Sequence, residues 1–493
     1  MDRRDLLKAS ILAAITTSFP QLDWASAEKR PNVLLLMSDQ HKRSCMGAYG
    51  DNVAKTPHLD ALAERSVRFT DVYCTNPVCT PSRASILTGL YSHHHEAQDN
   101  AHGFSSNHKT MAHHFGAAGY TTALIGKMHW VDAQTHGFDY RLEFNDWLQY
   151  LGPKVKLYAD ELAIPNSGSG LPEIDSLWKD EGDPWKGVRE KDDREGFVHN
   201  GRVSKIPEQD QFDSFVARES VRFLHQHREE GGPFFLITSF LKPHDPFMPA
   251  QRFADMFRPE DMHLPASWGK ADLSTLPREV VKGIQYNNPT PEVRDPEQAK
   301  RHIAFYYANL AQMDDALGQV MQALKDTGHD RDTIICYTSD HGEMLGDLGL
   351  WQKFEFYEGS CGVPLLIHVP GGDAGVAHVP LSQVSLSATL TSLAGVKLVQ
   401  PNDGVSFATL VKKPESTFEA GPVFAEYELG KPRAKYMVRE GYMKYIYRLN
   451  DRDELYDLKA DPMELRNLAV DPRCRPAADR LKAVLFAWHN PSL

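Results

Sequence analysis

Residues 76–89 read NPVCTPSRASILTG and place one cysteine between two prolines, with an arginine four residues later. Pro77 and Pro81 restrict the backbone on either side of Cys79, so a helix is predicted to begin only after Pro81 and to include residues 84–87. Cys79 would then lie at or just before the N-terminus of that helix. Free backbone N–H groups and partial positive charge at such an end favour a thiolate, a metal or an anion. A lone cysteine in a loop is more often structural, so the functional interpretation depends on the whole motif.

The composition is that of a large, soluble globular protein. Of its 493 residues, 41% are hydrophobic and 24% are charged, which supplies enough apolar material for an extensive core. The formal net charge of -12 argues against nucleic acid as the main partner. An anionic substrate would therefore need a local positive pocket.

Six cysteines occur in the chain, at positions 45, 74, 79, 336, 361 and 474. They form no Cys-x-x-Cys pair of the kind that binds zinc, and they are too few for a disulfide scaffold. Pairings such as Cys45 with Cys74 are left open by the sequence.

Residues 1–27 are predicted to be an export signal. Residues 2–8 read DRRDLLK and precede a short apolar run and a small-residue cleavage site at 25–27. The paired arginines resemble a twin-arginine signal, which carries folded proteins. The run is shorter than the roughly 20 apolar residues of a membrane span. We therefore expect a soluble periplasmic or secreted protein that begins near Glu28, with no stable membrane insertion.

Several short apolar runs have the pattern of strands buried on both faces. These runs cover residues 32–37, 121–125, 234–240, 333–338 and 364–369. The polar residues that follow the first four are Asp39, Gln40, Lys127, His129, His244, Asp340 and His341. Functional groups gather at the carboxyl ends of parallel strands, so these side chains are expected at one edge of a sheet.

Helical patterns alternate with the strands, at residues 57–66, 111–118, 212–227, 302–325 and 385–398. This alternation predicts an α/β fold with a large, mostly parallel sheet between layers of helices. Residues 160–210 and 258–298 break the pattern, and we interpret them as insertions near the mouth of the site.

A smaller unit is predicted at the C-terminal end. Residues 436–448 alternate in strand fashion, residues 454–458 are placed to pair back, and helices are predicted over 461–468 and 477–488. This pattern indicates a small antiparallel α+β subdomain over 416–493, docked on a catalytic domain over 28–415.

The strand-end residues have the chemistry of a metal and anion site. Carboxylate and amide oxygens suit Ca²⁺ or Mg²⁺ better than zinc. Lysines and histidines suit a multiply oxygenated anion such as sulfate or phosphate, and Lys353 adds a further cation. Each residue alone has a plainer explanation, because most lysines are solvated and Asp340 could cap a helix.

The motif at residues 79–83, Cys-x-Pro-Ser-Arg, followed by Leu-Thr-Gly at 87–89, resembles the activation motif of the type I sulfatases. The resemblance extends from Pro31 to Leu468. It implies an alkaline-phosphatase-like fold and hydrolysis of organic sulfate esters. It also implies that a formylglycine-generating enzyme converts Cys79 to formylglycine, whose hydrate is the nucleophile.

The resemblance assigns a role to each matching residue. The divalent cation, with Ca²⁺ preferred over Mg²⁺, would be held by Asp39, Gln40, Asp340, His341 and the hydrated formylglycine from Cys79. Arg83 would orient that hydrate, Lys127 and Lys353 would bind the sulfate oxygens, His129 would assist sulfate release, and His244 would face the leaving oxygen.

Two positions depart from the common sulfatase pattern. Many members have two aspartates where this chain has Asp39-Gln40, and many have Asp-Asn where it has Asp340-His341. Choline-sulfatase-like members share both departures. The loss of one carboxylate lowers the negative charge of the site.

The leaving group is open at this stage. Export and long loops favour a sulfated carbohydrate, with Asn100 and His102, and the triple histidine at 93–95, as substrate-binding candidates. A small sulfate ester, such as choline sulfate or an aryl sulfate, is an alternative. So are a phosphonate or phosphate monoester hydrolase of the same fold, and a non-catalytic protein that binds sulfated glycans.

Overall fold

The computed structural model describes residues 30–100, 103–128, 134–158, 201–286 and 295–490. The predicted export signal, His102, His129 and most of the predicted insertion at 160–210 lie outside these ranges.

The larger sheet has eight strands in the order β4-β3-β5-β1-β6-β7-β2-β8. Its strands are β1 (Asn32–Asp39), β2 (Val67–Tyr73), β3 (Thr121–Gly126), β4 (Tyr140–Leu142), β5 (Phe234–Pro243), β6 (Thr333–Ser339), β7 (Gly362–His368) and β8 (Gly375–Ser382). Among the described strands of this sheet, only β7 runs antiparallel to its neighbours, β6 and β2, so the predicted mostly parallel sheet is confirmed.

Strand β1 lies at the centre of this sheet and is buried along its whole length. It pairs in parallel with β5 on one side and with β6 on the other. Its side chains alternate between two separate cores, with Val33, Leu35 and Met37 in one and with Leu34 and Leu36 in the other. A continuous apolar run is what a strand covered on both faces requires, which is why the sequence predicted it.

Fourteen α-helices accompany the strands within the described ranges. They are α1 (Pro57–Ala63), α2 (Cys79–Thr88), α3 (Ser92–His95), α4 (Met111–Ala117), α5 (Phe144–Leu151), α6 (Lys154–Leu157), α7 (Phe212–Glu230), α8 (Gln251–Ala254), α9 (Arg278–Tyr286), α10 (Pro296–Asp326), α11 (Glu358–Cys361), α12 (Leu386–Leu393), α13 (Ala408–Lys412) and α14 (Arg475–Trp488). Helices α7 and α10 contribute to one core, and α2, α4 and α12 contribute to the other.

Helix α9 and the start of α10 lie in the segment 258–298, where the sequence predicts no helix. The interpretation of this segment as an insertion near the mouth of the site stays a prediction. Helix α10 begins at Pro296, capped by Asp295, because proline at the first helical position loses no hydrogen bond.

Helix α2 begins at Cys79, two residues before Pro81, so the predicted start after Pro81 is wrong. The N–H groups of the first turn have no partner inside a helix, and a proline there removes nothing that the helix needs. The amide of Ser82 already bonds to Val78 O at 3.0 Å. Cys79 is therefore part of the first turn, as the position of the motif suggested.

The second sheet is antiparallel, in the order β12-β11-β10-β9. Its strands are β9 (Val423–Tyr427), β10 (Lys435–Glu440), β11 (Met443–Arg448) and β12 (Glu454–Asp457). One face packs on α14 through Leu481 and Leu485. Ala425, Met437 and Ile446 instead join a core of the larger sheet, so the two sheets share apolar side chains.

The predicted helix over 461–468 is wrong, because a turn followed by a 3-10 helix at Leu468–Val470 occupies this segment. Glu464 there has a φ of 55°, which a right-handed helix excludes. Its carboxylate accepts from Lys444 Nζ at 2.8 Å and from the Glu358 amide at 2.7 Å. The first contact holds the segment to β11 of the smaller sheet, and the second ties it to the larger domain.

The five cysteines outside the motif, at 45, 74, 336, 361 and 474, are free thiols, so a disulfide between Cys45 and Cys74 is not formed. Among the described residues, no helix has the length and apolar character needed to cross a bilayer.

Candidate active site

The carboxyl ends of four neighbouring strands and the N-terminus of α2 meet at one edge of the larger sheet. Asp39 is the last residue of β1, and Asp340 directly follows β6. His244 follows β5, and Lys127 follows β3. All four side chains are buried, so the sheet brings together residues that are far apart in the sequence.

Gly126 permits the close approach of β3 to β5 at this edge. Its φ is +112°, and a Cβ atom there would lie 1.9 Å from the carbonyl oxygen of Ser239. Only glycine fits both conditions. The next residue, Lys127, is thereby carried into the site.

Four side chains form a compact group suited to a metal ion. One donor atom from each of Asp39, Cys79, Asp340 and His341 lies within 4.8 Å of the others. His341 Nε2 is 3.3 Å from Cys79 Sγ, and His341 Nδ1 is 3.0 Å from Gly342 O. Since Nδ1 donates its proton to that carbonyl, the lone pair of Nε2 faces the group, as metal ligation requires.

Arg83 holds the two carboxylates together. Its Nε donates to Asp340 Oδ2 at 2.8 Å, and its Nη2 donates to Asp39 Oδ2 at 2.9 Å. Its Nη1 donates to Ser239 Oγ at 2.9 Å and to the Lys127 carbonyl. The Oδ1 atom of Asp39 is turned inward, 3.9 Å from Cys79 Sγ.

Both lysines predicted from the sequence reach the same centre. Lys127 Nζ is 2.8 Å from Asp39 Oδ2. Lys353 Nζ is 2.6 Å from Gln40 Oε1, 2.6 Å from His244 Nε2 and 3.7 Å from Cys79 Sγ. The centre therefore holds three cations, Arg83, Lys127 and Lys353, close to its buried acids.

The charges of the site stabilise one another. Burial by itself would raise the pKa of Asp39, as would the neighbouring Cys79, but Lys127, His244 and Arg83 hold this pKa well below its ordinary value. Burial would lower the pKa of Lys353, but the negative groups around it, Cys79 first among them, raise the pKa instead. Asp39 thus remains a carboxylate and Lys353 an ammonium group.

The sequence analysis missed two residues that contact Gln40. Gln40 Nε2 lies 2.5 Å from Glu343 Oε2 and 3.3 Å from Asp245 Oδ1. Asp245 directly follows His244, and Glu343 comes two residues after His341, so both acids lie in segments that the sequence places after strands. That position after a strand could have identified them as site residues.

Of the two substrate-binding candidates, only Asn100 lies in the described residues. Its Oδ1 accepts from the Thr80 amide at 3.0 Å and so contacts the first turn of α2. In the triple histidine, Nδ1 of His93 lies 2.8 Å from Glu426 Oε2, and Nδ1 of His94 lies 2.7 Å from Asp403 Oδ2. His95 lies 3.0 Å from Ser85 Oγ.

Comparison with known families decides the identity of this centre. Residues 31–396 match the family model described as Sulfatase. The chain belongs to the sulfatase family. Residues 346–490 also match the model described as N-sulphoglucosamine sulphohydrolase, C-terminal. The sulfatase is a sulfuric ester hydrolase with the alkaline-phosphatase-like fold.

Individual relatives agree with this assignment. A choline-sulfatase of Rhizobium meliloti (strain 1021) is 34% identical over 90% of the sulfatase chain and 83% of its own. An N-acetylglucosamine-6-O-sulfatase of Bacteroides thetaiotaomicron is 27% identical over 94% of the chain and 86% of its own. The phosphonate monoester hydrolase of Agrobacterium radiobacter superposes with a TM-score of 0.77 at 24% identity, over 94% of the chain and 96% of its own, and shares the fold.

Membership of the family implies a metal ion and a formylglycine, and the residues present fit both. Two buried carboxylates, an imidazole nitrogen and the sulfur of Cys79 lie within 4.8 Å of one another. The amide oxygen of Gln40 is 2.6 Å from Lys353 Nζ, which is itself 3.7 Å from Cys79 Sγ. Three basic side chains balance these acids.

Replacing Arg83 by methionine should destabilise the cation-free sulfatase, because buried Asp340 would lose the arginine that bonds to it and buried Asp39 would keep only Lys127 as a close cationic partner. Loss of one partner from a buried ion pair costs about 3–5 kcal/mol. Denaturant unfolding of the metal-stripped protein measures this loss, and added Ca²⁺ should recover part of it. Arg473→Met is a suitable control, since its side chain is 87% exposed. A metal-free Arg83→Met variant as stable as the parent would contradict this account.

Proposed function

We propose that this sulfatase releases inorganic sulfate from a sulfated carbohydrate, using a formylglycine made from Cys79 and a bound Ca²⁺ ion. The position of Cys79 is the observation that carries the proposal. It lies in the first turn of α2, with its Sγ 3.3 Å from His341 Nε2 and 3.7 Å from Lys353 Nζ. A nucleophile at this position would face the residues that would bind the divalent cation. It would also face the ammonium group of Lys353, which could bind a sulfate oxygen.

Asp39, Gln40, Asp340 and His341 would hold the cation together with residue 79. Ca²⁺ suits a set in which oxygen donors dominate, and Mg²⁺ is the second candidate. When bound, the cation and the formylglycine would supply an activated hydroxyl at neutral pH.

The remaining residues would act on the substrate. Lys127 and Lys353 would bind the sulfate oxygens and stabilise their charge in the transition state. Arg83 would keep Asp39 and Asp340 in place and thereby orient residue 79. His129, outside the described residues, would assist sulfate release.

His244 would protonate the leaving oxygen through Nε2, which would first take up a proton from solvent once Lys353 has turned away. Its Nδ1 is 2.5 Å from the carbonyl oxygen of Asp245, to which it donates. Nε2 therefore faces the site, 3.8 Å from Asp39 Oδ1. Lys353 contacts the same nitrogen and would turn to the sulfate when substrate enters.

The choice of a carbohydrate rests on relatives named for sulfated sugars and on the predicted export of the protein. Asn100 and His102 are the candidates for binding the sugar. Choline sulfate is the second candidate, because the choline-sulfatase has the higher identity of the two relatives described. The similarity to a phosphonate monoester hydrolase is one of fold.

Maturation and location complete the proposal. A formylglycine-generating enzyme would act on the motif at 79–83 while the chain is still extended, since Cys79 is fully buried after folding. The signal at residues 1–27 would then carry the folded, converted enzyme to the periplasm or outside the cell.

The proposed binding of sulfate oxygens by Lys127 and Lys353 is tested by Lys127→Ala and Lys353→Ala. Each should lower kcat/KM roughly tenfold to more than a hundredfold, since a charge-assisted contact contributes about 1.5–3 kcal/mol. Steady-state sulfate release measures the effect, with exposed Lys459→Ala as a control that should leave kcat/KM unchanged. If either variant has a kcat/KM within twofold of the parent value, that lysine does not bind the sulfate as proposed.

The substrate class is tested by sulfate release from a panel of sulfated mono- and oligosaccharides, choline sulfate and an aryl sulfate. We expect the highest kcat/KM for a sulfated sugar. A matched phosphate monoester should turn over much more slowly, because it carries two negative charges where a sulfate ester carries one. A phosphonate monoester should also turn over more slowly, because a carbon substituent replaces one of the three terminal oxygens that the lysines would bind. A preference for choline sulfate would replace the proposed leaving group, and a preference for the phosphonate would overturn sulfate as the substrate.

A further inference from the structure

The side-chain amide of Gln40 has a fixed direction. Two carboxylates, of Glu343 and Asp245, lie 2.5 Å and 3.3 Å from its Nε2 atom. The ammonium group of Lys353 lies 2.6 Å from its Oε1 atom. An amide nitrogen donates and an amide oxygen accepts, so this set of partners permits only one orientation.

The carboxylate of Glu343 is itself held in place by hydrogen bonds to both of its oxygens. Its Oε1 accepts from the amides of Leu345 at 2.9 Å and Gln352 at 2.5 Å, while its Oε2 accepts from Gln40. The side chain is completely buried. It therefore joins the turn after β1 to the turn that carries Lys353, which begins at Gln352 with a φ of 63°.

We infer that Glu343 is a positioning residue that aims Gln40 Oε1 at the cation and sets the turn that delivers Lys353. This inference rests on the proposed cation site. It also explains why residue 40 is a neutral glutamine: a carboxylate there would meet Glu343 at 2.5 Å, with Asp245 close by. Position 40 itself carries no negative charge, and the nearby carboxylates are those of Glu343 and Asp245, which contact Gln40.

Glu343→Gln tests the orientation directly. The amides of Leu345 and Gln352 are backbone groups that cannot turn, so the oxygen of the new side chain must stay with them. Its NH₂ group then faces Gln40, whose amide must rotate and present nitrogen to the cation. The calcium affinity of the metal-stripped, full-length protein should fall at least tenfold in isothermal titration calorimetry.

The double variant Gln40→Glu/Glu343→Gln restores a matched pair, since the new NH₂ group can donate to a carboxylate at position 40. Its calcium affinity should exceed that of Glu343→Gln at least fivefold. A carboxylate at position 40 can raise calcium affinity by itself, so Gln40→Glu alone is measured as well. Because its carboxylate would face that of Glu343, Gln40→Glu should bind calcium more weakly than the double variant, whereas a residue needed only for folding would not give this order. Glu464→Gln is the matched control, because Glu464 is also buried and accepts a backbone N–H, and its loss should leave calcium affinity unchanged.

Two results would overturn the inference: Glu343→Gln with a calcium affinity within twofold of the parent, or a double variant no better than Glu343→Gln. Gln40→Ala separates this failure from that of the proposed cation site. If Gln40→Ala binds calcium at least tenfold more weakly while Glu343→Gln does not, the site stands and the positioning role fails. If Gln40→Ala binds calcium as the parent does, the proposed ligand set itself is wrong.

Discussion

The repulsion between Asp39 and Asp340 is the constraint on which the rest of the centre depends. Their carboxylates lie at the ends of two neighbouring strands and are completely buried, where two uncompensated charges would be prohibitively costly. Arg83 resolves this by bonding to one oxygen of each acid. Its fork geometry also fixes where the other oxygens point, so the same contact stabilises the fold and shapes the site.

The other basic residues of the site also help to neutralise its buried carboxylates. Lys127 adds a second partner for Asp39, and Lys353 lies beside Cys79, Gln40 and His244. A centre with this balance accepts a divalent cation and an oxyanion together, because each neutralises the other. The surface of the sulfatase carries net negative charge, so attraction of an anionic ester depends on this local arrangement.

The sequence predicted those parts of the structure whose pattern is local. The buried run of β1 and the polar residues after it needed only hydrophobic periodicity and the rule that sites form at strand ends. Strands β2 and β8 were missed because both are only partly buried and show no continuous apolar run. The segment 461–468 reads as a helix locally, but the contacts of Glu464 with Lys444 and Glu358 hold it in another conformation. The contacts of Glu343 and Asp245 with Gln40 join residues more than 200 positions apart, which no local pattern reveals.

The state of residue 79 tests the central claim most directly. Mass spectrometry of the peptide that contains Cys79, from protein made together with a formylglycine-generating enzyme, should show a species lighter by the difference between a thiol and an aldehyde. Across preparations with different degrees of conversion, specific sulfatase activity should rise in proportion to that species, and Cys79→Ala should be inactive. Fully active protein in which Cys79 remains an unmodified thiol would contradict the account, even though the fold and the surrounding residues would be unchanged.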